Sequence, residues 1–156
     1  MYNYFNDQYA KICLDLARQC KTYMGFGAVL VKNGIVIGSG RNKLSTIEER
    51  STLSHVDYAI HAEQSAIYNA IQCGHDINGT TVYVLGLALS GKNKGTLTTR
   101  TNIEFICHKC PHTLIKYNVS VCIPHIDGWK KMSPQEAMKT GLYYKGSGHW
   151  NKFAYE

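Results

Sequence analysis

Apolar residues recur at helical spacing over residues 4–23, which predicts an amphipathic first helix that lies against a sheet. The apolar positions of this stretch are Phe5, Tyr9, Ile12, Cys13, Leu16 and Cys20. Two segments rich in β-branched residues follow at 25–32 and 35–40, and the Asn33-Gly34 pair between them is a strong hairpin signal. The N-terminal part of the chain therefore predicts a helix followed by a two-stranded hairpin.

The middle of the chain is first polar and then strongly periodic. Residues 43–58 show little periodicity and predict an excursion loop with a short helical turn, long enough to cover a site. Residues 59–71 return to helical spacing, and His61 and Glu63 fall in the first turn of this predicted helix. Because the helix dipole favours negative charge at that end, developing negative charge would be stabilised there.

The second half of the chain predicts two more strands and a helix between them. Residues 79–87 predict a buried central strand, and residues 118–124 predict a fourth strand that proline ends; no fifth strand is evident after it. Residues 90–101 form an insertion rich in glycine and lysine. The Cys110-Pro111 pair suits the start of a helix. The predicted inward positions of this helix are Leu114, Ile115 and Tyr117.

The 156 residues predict one domain, with a core over about 25–125 and an end segment over 132–156. The end segment consists of a short helix, opened by the capping box Ser133–Glu136, and an aromatic tail over 142–156. No apolar run is long enough to span a membrane, and the N-terminus lacks the layout of a secretion signal, so we expect a cytoplasmic protein. The net charge of +6 permits an anionic partner without identifying one.

The six cysteines are interpreted as core residues and metal ligands, because a disulfide framework is unusual in a cytoplasmic chain of this length. Four of them occupy predicted helix or strand positions and are predicted to fill the core. These four are Cys13, Cys20, Cys73 and Cys122. The remaining pair, Cys107 and Cys110, forms a C-x-x-C motif at a predicted helix start.

The strongest chemical signal is the combination of His61-Ala62-Glu63 with Cys107-His108-Lys109-Cys110. A histidine, a nearby carboxylate and a C-x-x-C pair match the signature of zinc-dependent nucleobase deaminases. Zinc with three protein ligands and an open position lowers the pKa of a bound water to about 7, and an unbound carboxylate moves the protons. We therefore predict zinc binding by His61, Cys107 and Cys110, with Glu63 as the proton carrier.

Other histidines lie near the cysteine pair. A set of Cys107, Cys110 and His112 is an alternative, and His108 is adjacent, but neither histidine brings a carboxylate with it. His61 is preferred because a catalytic zinc needs an acid–base group beside it.

The sequence resembles the zinc-dependent cytidine and deoxycytidylate deaminase superfamily over roughly residues 25–125. The matching stretches are Gly25–Val31, Gly40–Asn42, His61–Glu63, Thr81–Val84 and Cys107–Cys110. The resemblance implies an α/β fold of three layers, α/β/α, with a mixed central sheet and a zinc ion as cofactor. It also implies that Asn42 contacts the sugar, that Phe26 lines the base pocket, and that the backbone of Ala62 contacts the base.

The chain departs from this family at Ile106, where the family usually has a proline before the first cysteine. The expected activity is hydrolytic deamination of a cytosine-type base in a free nucleotide or nucleoside. Deoxycytidylate is preferred because Arg41, Lys43 and Arg100 are candidate phosphate contacts. The alternatives are a nucleic-acid base deaminase, which flips its base into the pocket, and a non-catalytic, zinc-stabilised nucleotide-binding protein. The resemblance also implies a homo-oligomer.

Overall fold

The computed structural model describes residues 2–53, 55–97 and 110–139. The helices are α1 (Gln8–Ala17), α2 (Ile47–Thr52), α3 (Ala62–Gln72) and α4 (Cys110–Tyr117), and residues 134–139 are also helical. The strands are β1 (Met24–Lys32), β2 (Ile35–Arg41), β3 (Lys43–Leu44), β4 (Ala59–Ile60), β5 (Thr81–Ala88), β6 (Ser120–His125) and β7 (Gly128–Met132). Among these residues, no helix is long and apolar enough to cross a bilayer.

The central sheet has five strands in the order β2-β1-β5-β6-β7. Strands β5 and β6 run parallel, and the other neighbouring pairs are antiparallel. One face packs against α1 through a buried cluster that includes Cys13, Val29 and Leu85. The opposite face packs against α3 and α4 through a cluster that includes Leu30 and Leu114. The fold is therefore the predicted three-layer α/β/α arrangement with a mixed sheet.

Local sequence signals account for the hairpin. Asn33 and Gly34 both have positive φ angles, 51° and 79°, as a two-residue turn between twisted strands requires. Strands β1 and β2 pair from Gly27 opposite Arg41 to Lys32 opposite Ile35, with a bulge at Leu30 and Val31. The predicted excursion is also present, since β3, α2 and β4 lie between the end of β2 and the start of α3.

The sequence interpretation missed the fifth strand. Residues 128–132 form β7, which pairs antiparallel with β6 from His125 opposite Gly128 to Val121 opposite Met132. Its two adjacent lysines obscure the alternation, and its strand conformation depends on hydrogen bonds to β6 at the edge of the sheet.

Several predicted core positions are exposed. The first helix is shorter than predicted, begins after the cap Asp7, and leaves Phe5 and Ile12 at the surface. Ile115 is likewise exposed on α4, whereas Leu114 is fully buried. Cys73 caps the end of α3 and is exposed, so its assignment to the core was wrong. Cys13, Cys20 and Cys122 are buried thiols as predicted.

Candidate active site

His61 and Glu63 lie at the start of α3. His61 is the N-cap residue and has extended dihedrals, φ −84° and ψ 159°. Because His61 is not helical, its side chain escapes the divergence of about 200° that a spacing of two imposes within a helix. Ala62 is 1% exposed and Glu63 is 7% exposed. A nearly buried carboxylate therefore follows a histidine at a helix start.

A buried amide joins this helix start to α4. The side-chain oxygen of Gln64 accepts a hydrogen bond from the backbone N–H of His61 at 3.2 Å. Its amide nitrogen donates to the hydroxyl of Thr113 at 3.3 Å. Thr113 lies one turn after Cys110, the first residue of α4, whose side chain is fully buried. The elements that carry His61 and Cys110 are thus connected through one side chain.

The rest of the predicted metal set falls partly outside the described chain. Cys107 and His108 lie outside the described residues. Within residues 2–53, 55–97 and 110–139, no group of three or more candidate ligands is arranged to hold a metal ion. His112, the alternative ligand, stacks on the ring of His55 with centroids 3.9 Å apart.

Phe26 and Asn42 lie side by side at the ends of β1 and β2. The side-chain oxygen of Asn42 accepts from the backbone N–H of Phe26 at 2.7 Å, and the thiol of Cys20 is 3.0 Å from the same oxygen. The Asn42 amide nitrogen donates to the hydroxyl of Thr22 at 3.3 Å. The Phe26 side chain packs, partly buried, against the core on the α3 side of the sheet.

The candidate phosphate contacts are arranged differently from the expectation. The Lys43 ammonium lies 3.0 and 3.1 Å from the two carboxylate oxygens of Glu49, which is 4% exposed. Lys43 therefore anchors the excursion. Arg41 pairs with Gly27, the position that meets α1, and so lies on the sheet face opposite α3. Arg100 lies outside the described residues.

The sequence interpretation missed the Gln64 bridge and the Cys20–Asn42 contact. One signal for the first was present, because a glutamine three residues after an N-cap position is the pattern of a capping box. Nothing in the local sequence indicates its second partner, Thr113, since that contact joins residues 49 positions apart.

The comparisons with known proteins agree with this geometry. The family model for the cytidine and deoxycytidylate deaminase zinc-binding region matches residues 4–125. The chain is similar to the solved dCMP deaminase of the cyanophage S-TIM5, in complex with dCMP and dUMP, at 17% identity and a TM-score of 0.54. That alignment covers 89% of this chain and 93% of the phage protein.

A second similar solved structure is the cytidine deaminase of Burkholderia pseudomallei, at 16% identity and a TM-score of 0.57, over 85% of this chain and 94% of that one. No curated protein sequence matches the chain. Because both identities are low, these likenesses establish the fold, whereas the family model covers most of the sequence. With His61 and Glu63 at the start of α3 and Cys110 at the start of α4, the chain belongs to the cytidine and deoxycytidylate deaminase family.

Proposed function

We propose that this protein is a zinc-dependent hydrolytic deaminase that converts a cytosine-type base to its uracil form in a free nucleotide or nucleoside. The observation that carries the proposal is the joined pair of helix starts. His61 and the nearly buried Glu63 open α3, the buried Cys110 opens α4, and the Gln64–Thr113 hydrogen bond connects them. Family membership supplies the reaction class.

The chemistry of the donor set fits zinc. We propose His61, Cys107 and Cys110 as the ligands, because imidazole nitrogen and cysteine sulfur are ligands that zinc prefers, and three protein ligands leave a position open. When bound, zinc supplies an activated water at neutral pH. The starts of α3 and α4 bring the positive ends of two helix dipoles to the side where negative charge develops.

Glu63 is proposed as the proton carrier. In the reaction, water adds to C4 of the cytosine ring, a C–O bond forms, the C–N bond to the amino group breaks, and ammonia leaves. Glu63 takes a proton from the attacking water, delivers it to the ring nitrogen, and then helps to protonate the departing amine. Its 7% exposure limits competition from bulk water for these transfers.

The remaining proposed contacts hold the substrate. Phe26 would line the base pocket, the backbone of Ala62 would contact the base, and Asn42 would contact the sugar with its amide N–H, since its oxygen is already bonded. Deoxycytidylate is the first substrate to test. The similar cyanophage enzyme binds dCMP, and this supports the choice now that Lys43 is paired with Glu49.

The test is ammonia release by purified, zinc-loaded protein on a panel of substrates. The panel contains deoxycytidylate, cytidylate, cytidine, guanine, and short oligonucleotides that carry cytosine or adenosine. Glu63→Ala is the blank, and Glu63→Gln is the matched variant that keeps the shape of the side chain. We expect turnover on a free cytosine nucleotide, with a loss of at least about 10²-fold in both variants.

Other outcomes would select the alternatives. Turnover on oligonucleotides alone would identify a nucleic-acid deaminase. Bound zinc with no turnover on any substrate would refute the proposed reaction and favour a nucleotide-binding role.

A further inference from the structure

Gln64 is the third residue of α3, and it is 1% exposed. Its amide group contacts three separate segments of the chain. The oxygen accepts from the backbone N–H of His61 at 3.2 Å, and the nitrogen lies 3.1 Å from the backbone oxygen of His55 and 3.3 Å from the hydroxyl of Thr113. A buried amide with this many partners is expensive to replace, because each lost contact leaves a polar group buried without a partner.

The orientation of this amide is fixed by the chemistry of its partners. A backbone N–H only donates, so the atom facing His61 is the oxygen of Gln64. A backbone carbonyl only accepts, so the atom facing His55 is the nitrogen. Rotating the amide by half a turn would place like groups against each other at both contacts. Gln64 therefore has one hydrogen-bonded arrangement at this site.

The three partners surround the candidate active site. His61 is the proposed zinc ligand on α3, and its N–H is the group that Gln64 binds. Thr113 lies three residues after the proposed ligand Cys110, so that the two share a side of α4. His55 belongs to the excursion between β2 and α3, and its ring stacks on His112 of α4. One side chain thus connects both ligand-bearing helix starts and the excursion beside them.

We propose that Gln64 is a positioning residue that fixes the start of α3 against α4, and so holds His61 at the distance from the cysteine pair that zinc requires. The inference rests on the proposed function. Zinc ligands must be held within a few tenths of an ångström, and groups that orient ligands commonly change metal affinity when they are replaced. Gln64 acts on the backbone of His61 and through Thr113, and contacts neither substrate nor metal in this role.

The experiment compares Gln64→Met, which keeps the length of the side chain without its polar atoms, with Thr113→Val, which removes a hydroxyl and keeps the shape. Thr113→Ser restores the hydroxyl and is the conservative rescue. Ser65→Ala is the matched control, because Ser65 is 7% exposed in the same helical turn. Zinc affinity is measured by competition with a chromophoric chelator, the stability of the zinc-free protein by urea unfolding, and kcat and KM by ammonia release.

We expect Gln64→Met and Thr113→Val to lower zinc affinity about 10- to 100-fold and to lower kcat, with KM within about twofold of wild type. Thr113→Ser and Ser65→Ala should retain zinc affinity. The double variant Gln64→Met/Thr113→Val should bind zinc about as well as Gln64→Met alone, because both changes remove the same link. A loss of zinc-free stability with unchanged zinc affinity and kcat would overturn the inference and leave Gln64 a purely structural residue.

Failure of the proposed function gives a different result. A wild-type chain that binds zinc and turns over no substrate would refute the deaminase reaction, while the comparison of zinc affinities would still decide the role of Gln64. A wild-type chain that binds no zinc overturns both. Thr113→Val removes one hydroxyl and is expected to fold, so a failure of Gln64→Met to fold leaves the comparison with Thr113→Ser to decide.

Discussion

The side-chain oxygen of Asn42 accepts a hydrogen bond from the backbone N–H of Phe26 at 2.7 Å. The two side chains proposed to contact the substrate are therefore held by each other before any ligand binds. The same oxygen is 3.0 Å from the thiol of Cys20, which leaves the Asn42 amide N–H as the group for a ligand. At present that nitrogen donates to Thr22 at 3.3 Å, a contact long enough to exchange for a sugar oxygen.

Two substitutions of Asn42 separate its structural role from its proposed binding role. Asn42→Asp keeps an oxygen for the Phe26 N–H but removes the amide N–H, so we expect near-native stability and a KM raised at least about tenfold. Asn42→Ala also leaves the Phe26 N–H without its acceptor, and should cost a further 1–3 kcal/mol or so in the free energy of unfolding. Urea unfolding and steady-state kinetics measure the two effects. An unchanged KM in Asn42→Asp would show that Asn42 is structural only.

A glycine in β2 sets how closely α3 approaches the sheet. A Cβ at Gly40 would lie 2.5 Å from the backbone nitrogen of Ala66 and from the side chain of Ser65. Since backbone atoms cannot move aside, Gly40→Ala should displace the first turn of α3, which carries Glu63. We expect a loss of about 1–3 kcal/mol in stability and a fall of more than about tenfold in kcat. Both are measured on zinc-loaded protein.

The neighbouring residue provides the control for this prediction. Ser39 pairs with Val29 in the same strand, and only its backbone N–H bonds to Asn69. Ser39→Ala should leave both stability and kcat close to wild type. Wild-type behaviour in Gly40→Ala would contradict the assignment, since it would mean that the helix tolerates a shift of its first turn.

Local signals predicted the parts of the fold that depend on neighbours in sequence. The Asn33-Gly34 turn and the start of α3 at His61 both follow from residues within a few positions of each other. The buried face of α1 was only partly predicted, because helical spacing allows either Ile12 or Leu14 to point inward. The sheet decides this choice, and it buries Leu14 to 2% exposure. Strand β7 depends in the same way on a partner distant in sequence.

The candidate site shows the same division. The sequence predicts the residue types at the helix starts, because the histidine, the glutamate and the cysteine pair follow a recognisable spacing. It does not predict that Lys43 is used by Glu49, since that ion pair depends on how the excursion folds back on itself. It also does not predict the contact between Gln64 and Thr113, which forms only when α3 and α4 pack side by side.

The thiols should differ sharply in reactivity. Cys73 is exposed at the end of α3, whereas Cys13 and Cys122 are buried, and burial raises the pKa of Cys13 to about 12 and that of Cys122 to about 11. Because the thiolate is the reactive form, iodoacetamide at about pH 8 should label Cys73 well before the other two. Peptide mass spectrometry of timed samples measures the order, and Cys73→Ser should abolish the fast phase. Labelling of Cys13 at the rate of Cys73 would contradict the buried environment.

The cap of the first helix should make stability depend on pH. The Asp7 carboxylate accepts from the backbone N–H groups of Tyr9 and Ala10 at 2.9 Å, from the Trp129 indole at 3.1 Å, and from the Tyr2 hydroxyl. Partial burial by itself would raise the pKa of Asp7, but these hydrogen bonds together lower it below its ordinary value of 3.8. The charged form is therefore favoured in the folded state.

The direction of the pH effect follows from this lowered pKa. The stabilisation is fully present above the ordinary value of 3.8 and is lost as the pH falls through the lower pKa of the folded state. Asn also caps helices well, so Asp7→Asn should keep the cap and lose only the part that depends on charge, about 0.3–1 kcal/mol at neutral pH. Urea unfolding from about pH 6 to about pH 2 should show the gap between wild type and Asp7→Asn closing at the acid end. A gap of constant size would mean that the charge on Asp7 does not stabilise the fold, and that its contribution is the hydrogen-bond geometry that asparagine shares.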